Sequence, residues 1–424
     1  SVSAAGDVNG DGIDDIIVGA PRTDLSGRTD VGVAFVIFGK KSGFVDLNTG
    51  SLTKPDSGGF IIYGVFPYDY FGISVSGAGD VNGDGIDDFI VGAPRANPTG
   101  GTDPVYFRGG RTDCGAAYVI YGKKSGVRNI DLKSFVFSNT TGFIIQGAAV
   151  GDFLGSSVSG AGDVNGDGKD DVIVGAILAN PNSRSKAGAA YVIYGMFDRT
   201  GAVDLLGFVS GARGFIIQGA AAGDYLGWSV SGAGDVNGDT YADVIVGAPL
   251  ADPNSRSDAG AAYLILGKAS GFVTVDVASF TFDDSTGYII QGAAARDQLG
   301  FSVSGAGDVN GDMHGTDDFI VGARYASPNG LPRAGAAYVI LGMKSGFTTV
   351  DLASFSLDNS RGFSIKGAAA GGQLGYSVSG AGDINGDGIN DVLVGAPYSG
   401  AGDIVGDGIN DEGAASESRL VLPT

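Results

Sequence analysis

The chain has 424 residues, 77 of them glycine, with 43% apolar residues, a single cysteine and a formal charge of −21. Without a Gly-X-Y period it is not collagen, and its apolar content excludes a disordered chain. The acidity argues against nucleic acid or an anionic membrane as partner and favours bound cations. No apolar run approaches about 18 residues, so no membrane span is predicted, and Cys114 alone permits no internal disulfide. The opening "SVSAAGD", with neither Met nor a signal-type apolar region, is expected of a mature or trimmed product.

The first predicted element is a short β-type run ending at Gly6, followed by an acidic loop "DVNGDGIDD" from Asp7 to Asp15. Three more runs follow: "IIVGA" 16–20, "GVAFVIFG" 32–39 and "GFIIYG" 59–64. We name the four runs A, B, C and D. The set then returns, with the loop restarting at Asp80, Asp163, Asp235, Asp308 and Asp383, at spacings of 72 to 83 residues. "SVSGAGD" leads into the loop at 74–80, 157–163, 229–235, 302–308 and 377–383. Run B recurs at 89–93, 172–176, 244–248, 319–323 and 392–396, and run C at 115–122, 188–195, 260–267 and 335–342. Run D recurs at 142–147, 214–219, 287–292 and 362–367. The last unit has only a degraded C run, 413–422, and no D run.

Runs B and C are apolar at both parities, the pattern of strands buried on both faces. Four-stranded units, each covered by the next, predict an all-β fold, a β-propeller of four-stranded blades. Six repeats are visible, at about 1–66, 67–148, 149–220, 221–293, 294–368 and 369–424, within one domain; a seventh blade would require further sequence. The missing last D strand predicts that another segment or another chain completes the ring by strand addition.

The loop follows D-x-N-x-D-x-x-x-D, lying between runs A and B. Oxygen-bearing side chains at positions 1, 3, 5 and 9, with a backbone carbonyl at 7, suit a hard cation and favour Ca²⁺ over Mg²⁺. The candidates in the first copy are Asp7, Asn9, Asp11, Ile13 and Asp15; in the second, Asp80, Asn82, Asp84, Ile86 and Asp88. The third has Asp163, Asn165, Asp167, Lys169 and Asp171; the fourth, Asp235, Asn237, Asp239, Tyr241 and Asp243, with Thr240 in the glycine position. The fifth has Asp308, Asn310 and Asp312, then two extra residues before Asp318; the sixth has Asp383, Asn385, Asp387, Ile389 and Asp391. A fragment at 399–411 repeats the pattern with Val405 in place of a ligand and is expected to bind weakly or not at all. One copy alone would equally fit an Asn-Gly or Asp-Gly turn; six copies predict about six calcium ions.

In their order these motifs resemble FG-GAP repeats, the units of the integrin α-chain β-propeller and its bacterial relatives. Phe71-Gly72 stands as the "FG" element, with Leu-Gly at 154–155, 226–227, 299–300 and 374–375. "GAP" stands at 19–21, 92–94, 247–249 and 395–397. The resemblance implies a non-enzymatic, calcium-binding, extracellular or secreted propeller, with ligands on the rim opposite the calcium loops. Three departures are evident: six repeats rather than seven, a calcium loop in every unit, and a long C–D insert such as 123–141. These point to a bacterial surface or secreted relative.

The expected role is adhesion, or surface or filament assembly, through protein contacts. A lectin-like propeller and an accessory domain of a secreted hydrolase are the alternatives. On the opposite rim the longest B–C loop carries Tyr106, Phe107 and Arg108, aromatic and cationic residues suited to a ligand or merely to packing on their own blade. Trp228 suits the core or, less readily, sugar stacking. Catalysis finds no support: His314 is the one histidine, Cys114 has no partner in the pattern, and the paired acids are committed to the loops.

Overall fold

The computed structural model describes residues 1–399 apart from 26, 44–48, 54–57, 98–110, 125–127, 197–200, 312–314, 347 and 355–359. It divides into two compact units, Ser1–Ala222 with Lys268–Ala278, and Gly223–Gly267 with Ser279–Thr424. Each unit is a succession of the blades that the repeats predict, as in a β-propeller. Among the described residues the only helical segments are short 3₁₀ turns, and no helix is long and apolar enough to cross a membrane.

In the first unit the blades are Val2–Gly6, Asp15–Ala20, Val33–Ile37 and Gly59–Tyr63; then Val75–Gly79, Asp88–Ala93, Ala116–Ile120 and Gly142–Gln146; then Leu154–Gly162, Asp171–Ala176, Ala189–Ile193 and Gly214–Gln218. The second unit holds Ser229–Gly234, Asp243–Ala248, Ala261–Ile265 and Gly287–Gln291, then Leu299–Gly307, Asp318–Ala323, Ala336–Ile340 and Gly362–Lys366. The A and B strands of the sixth repeat, Ser377–Gly382 and Asp391–Gly395, pair as a hairpin. The degraded C run and the 399–411 fragment, beyond Ser399, lie outside the described residues. Within a blade, A to D pair antiparallel in chain order.

The core lies between successive blades. B strands of the second to fifth blades are buried at every position, and the C strands nearly so. Their Val, Ile and Phe side chains fill one interblade layer on each face, for example Ile245, Leu264 and Tyr288 against Phe319, Val321 and Ile340. Burying each such side chain contributes about 1.5–3 kcal/mol. The A strands carry "SGAG" because neighbouring A strands run close together: Gly160 packs on the Gly77 carbonyl and Ala78. The B-strand glycine has the same cause. A Cβ on Gly247 would overlap the carbonyl of Gly300 in the next blade, so the "GA" of one repeat and the "LG" of the next are two sides of one contact.

The C–D insert is a structural element in its own right. Its short strand leaves its own repeat and adds parallel to the outer D strand of the preceding blade. Ala202–Asp204 pairs with Gly142–Gln146, Val275–Asp276 with Gly214–Gln218, and Val350–Asp351 with Gly287–Gln291. The outer edge is thereby capped, which blunts edge-to-edge association. In three of the added strands the terminal aspartate is clamped by an arginine of the covered blade's B–C loop, Arg111 to Asp204 at 2.7 Å, Arg184 to Asp276 at 2.7 Å and Arg256 to Asp351 at 2.6 Å, whereas the fourth, Ile130–Asp131 on Gly59–Tyr63, has no such ion pair among the described residues. Asn182 and Asn254 donate to the second oxygen of the Asp276 and Asp351 carboxylates. Replacing Arg256 by Met is expected to lower stability by about 1–2 kcal/mol, the worth of charge-assisted hydrogen bonds that are partly exposed. An unchanged thermal melt would show that the added strand is held without its clamp.

The D–A turns repeat a buried aspartate that the sequence analysis did not single out. Asp69, Asp152 and Asp297 each accept the amide three residues back, from Phe66, Ala149 and Ala294. Burial pushes the Asp69 carboxyl up to about 7. Because its folded pKa lies above the unfolded value, its contribution to stability is present at acid pH and is lost as pH rises from about 4 to about 7. Asp69→Asn should therefore match the wild type in melting temperature at pH 4 and exceed it at pH 8; parallel melts at the two pH values check the sign.

Candidate functional site

Each acidic loop begins at a β-bulge where the A strand ends, at Gly6, Gly79, Gly162, Gly234, Gly307 and Gly382. The bulge turns the chain sharply, and the first aspartate closes the loop on its own backbone. Asp80 accepts from Gly83 and Asp84 through Oδ1, at 2.7 and 2.9 Å, and from Gly85 through Oδ2, at 2.7 Å. Asp163 and Asp383 do the same, and Asp7 and Asp235 do so with two amides each. The aspartate at position 5 accepts the amide at position 7, from Ile13, Ile86, Lys169, Tyr241 and Ile389 in turn.

The last aspartate has a different task. Asp88, Asp171, Asp243 and Asp318 are fully buried at the base of their loops. One oxygen accepts the amide at position 2 of the loop, and the other accepts the glycine amide that ends strand C: Val81 and Gly122 for Asp88, Val164 and Gly195 for Asp171, Val236 and Gly267 for Asp243, Val309 and Gly342 for Asp318. Asp15 repeats this with Val8 and Gly39, and Asp391 accepts from Ile384. The loop, strand B and the end of strand C are thus tied at one carboxylate.

The penultimate acid links one blade's loop to the next. Asp87 accepts the Asp7 amide at 2.7 Å, Asp170 that of Asp80 at 2.8 Å and Asp317 that of Asp235 at 2.9 Å. A Cβ at Gly79 would overlap the Asp170 carboxylate, and Gly79 has φ +67°, so glycine is required there on both counts.

The electrostatics fit a cation. Burial pushes the carboxyls of Asp88, Asp171 and Asp243 up to about 8, and that of Asp15 up to about 6, and the other two aspartates of each loop add to the shift. The shifts of these four carry no contribution from a lysine or arginine. In the fifth loop Asn310 Oδ1 is buried without a hydrogen-bond partner among the described residues. The Asn9 amide lies 3.4–3.5 Å from both Asp15 oxygens. Against this, no three His, Cys, Asp or Glu side chains among the described residues converge on one point. The reason is visible in the hydrogen bonds, since loop amides take up the oxygens of the first and last aspartates. In the third loop Lys169 Nζ stands 3.6 Å from Asp167. Asn82, Asp84, Asn165, Asn237, Asp239, Asn385 and Asp387 all lie in their loops as the spacing requires. Asp312 and His314 lie outside the described residues, as do Tyr106, Phe107 and Arg108. Trp228 is half-buried at the D–A turn, 5.5 Å from the ring of Phe301.

Comparison with known proteins agrees with this organisation. Residues 1–37, 71–120, 154–193, 226–265 and 374–416 match the FG-GAP repeat. The fifth repeat escapes the match, yet its strands pair in the same register as the others. The chain is similar to integrin alpha pat-2 of Caenorhabditis elegans, 34% identical over 260 residues, which covers 58% of this chain and 17% of that protein. It is similar to integrin alpha-PS5 of Drosophila melanogaster, 33% identical over 222 residues, covering 52% and 19%. It is also similar to phosphatidylinositol-glycan-specific phospholipase D of Bos taurus, 32% identical over 200 residues, covering 47% and 21%. The chain thus spans about a fifth of the length of these relatives.

Thr240 gives the loop geometry a direct test. It adopts φ +79°, where the other loops place Gly12, Gly85, Gly168 and Gly388. A β-branched residue is strained there by about 1 kcal/mol or more. Thr240→Gly is expected to raise stability by about 1 kcal/mol, read as a higher denaturation midpoint; a lower midpoint would mean the loop departs from this conformation.

Proposed function

We propose that this chain, an FG-GAP repeat protein of the integrin α-chain-like kind, is a non-enzymatic extracellular interaction propeller whose acidic loops are completed by calcium. The similarity to integrin α-chains supports protein–protein interaction outside the cell. The observation that carries the metal reading is the same in each of four loops: a buried carboxylate, two further carboxylates acting on it, and no cationic side chain contributing. A proton or a cation must settle that charge, and at neutral pH in calcium-rich surroundings the cation does so.

In the second loop the holding residues would be Asp80, Asn82, Asp84 and Asp88 with the Ile86 carbonyl, and the same positions would serve in the first, third, fourth and sixth copies, with Asp308, Asn310, Asp312 and Asp318 in the fifth. The metal supplies charge neutralisation and cross-linking, not catalysis. Six Ca²⁺ would more than halve the formal charge of −21. Binding would release loop amides from the first aspartate and turn its oxygens inward, coupling metal affinity to folding. A site at a hundredfold its Kd adds about 2.7 kcal/mol. The likeness to a phospholipase D supports a second reading, an accessory domain of a secreted hydrolase; hydrolysis of phosphatidylinositol-glycan by this chain alone would overturn the non-enzymatic assignment.

The test is a thermal melt of the chain in chelator, in Ca²⁺ and in Mg²⁺. Chelation is expected to lower the melting temperature by well over 5 °C, with recovery in Ca²⁺ and weaker recovery in Mg²⁺. Superimposable melts would refute a structural calcium.

A further inference from the structure

At the end of the blades away from the acidic loops, the fifth repeat departs from its siblings. Where four other repeats read Gly-Ala-Pro, at 19–21, 92–94, 247–249 and 395–397, and the third reads Gly-Ala-Ile, 175–177, this one reads Gly-Ala-Arg, 322–324. Arg324 follows directly on strand Asp318–Ala323. Its guanidinium carbon lies 3.6 Å from the ring centroid of Phe301, 4.5 Å from that of Tyr325 and 5.7 Å from that of Tyr376. Its Nε donates to Gln298 Oε1 at 2.9 Å.

The platform has its own repeat logic. The residue after the "FG" glycine is Ile73, Ser156, Trp228, Phe301 and Tyr376 in successive repeats, so it is aromatic only in the last three. Those three rings run in series, Trp228 to Phe301 at 5.5 Å and Phe301 to Tyr376 at 5.2 Å, with Arg324 over the middle one. Trp228, Phe301, Arg324 and Tyr325 are half-buried, and Tyr376 is 38% exposed.

The two terminal nitrogens of Arg324 have no hydrogen-bond partner among the described residues, and no carboxylate there pairs with them. Burial lowers the guanidinium's pKa, and no carboxylate is among the groups acting on it. Arg111, Arg184 and Arg256 each pair with an aspartate, whereas Arg324, like Arg95 and Arg333, lies against aromatic rings instead. A guanidinium held flat by stacking and by one Nε bond keeps a fixed fork of donors, which fits a carboxylate in bidentate fashion. The aromatic row beside it supplies the rigid, amphipathic surface typical of a binding hot spot.

We propose that Arg324, fixed by Gln298 and Phe301, is a carboxylate-recognition site for an acidic segment of a partner polypeptide, with the aromatic row bearing the flanking residues. The proposal deepens the interaction reading above and rests on it. Its ligand chemistry is opposite in sign to the acidic loops, so the two ends of a blade recognise different things. Trp228, the one tryptophan, lies within the row and reports on it.

The test uses the full chain in Ca²⁺ on an array of random 12-residue peptides, each acidic one paired with its Asn/Gln counterpart. Captured peptides are expected to contain Asp or Glu, and the amide counterparts to bind at least tenfold more weakly. Arg324→Gln should lose capture by at least tenfold at an unchanged melting temperature, and Arg324→Lys, which keeps charge without the fork, should lose part of it. A captured peptide should shift Trp228 emission in the wild type and not in Arg324→Gln. Capture indifferent to the acid-to-amide change or to Arg324 overturns the site and leaves the interaction reading standing. Capture of no peptide overturns both, and binding confined to acidic sugars on a glycan array replaces the polypeptide partner with a glycan.

Discussion

One buried carboxylate per blade organises this protein. The last aspartate of the loop gives one oxygen to the start of its loop and the other to the glycine amide that ends strand C. Strands A, B and C are thereby fixed relative to one another at the end where no core residue could do it. The cost is a charge with no exposure to water and no cationic neighbour. Such a charge is tolerable only if hydrogen-bonded and neutralised, and a proton or the proposed cation would meet that demand.

The second constraint is proximity. Blades bury both faces of their B and C strands, so a blade is unstable without its neighbour, and the backbones must approach closely where A strands meet. Glycine is the residue that permits this. The high glycine content is therefore a packing requirement, expressed as paired glycines such as Gly247 and Gly300 on adjoining blades. The outer edges are treated differently. There, in the first four blades, the insert of the following repeat lays down one more strand, pinned in three of them by an arginine–aspartate pair.

The two ends of a blade have diverged in chemistry. At one end the acidic loops recur with little variation, because the same buried aspartate is needed each time, and in three places an aspartate beside it bonds to the preceding blade's loop. At the other end repeats differ: aromatic residues replace Ile73 and Ser156, and Arg324 replaces proline. Uniformity marks the positions that folding constrains, and variation marks the end that is free to acquire a ligand.

Much of this was legible in the sequence. The strand runs, the loop between A and B, and the double-sided burial of B and C follow from local pattern, since a short apolar run bounded by glycine and aspartate has few alternatives. The loop residues also stood out, because oxygen-bearing side chains at the D-x-N-x-D-x-x-x-D spacing occur five times, with one further copy two residues longer. Other features needed the tertiary structure, for a physical reason common to all of them: they join residues distant in sequence. The insert's strand serves the preceding blade, as in the pairing of Asp276 with Arg184 across 92 residues. Asp170 belongs to the loop of Asp80, 90 residues earlier, and not to solvent. Arg324 stacks on Phe301 within the fifth blade, but the row that Phe301 forms with Trp228 exists only once two blades meet. Local pattern determined what each repeat is; which repeat completes which, and where a charge is left without a partner, was decided only by packing the blades together.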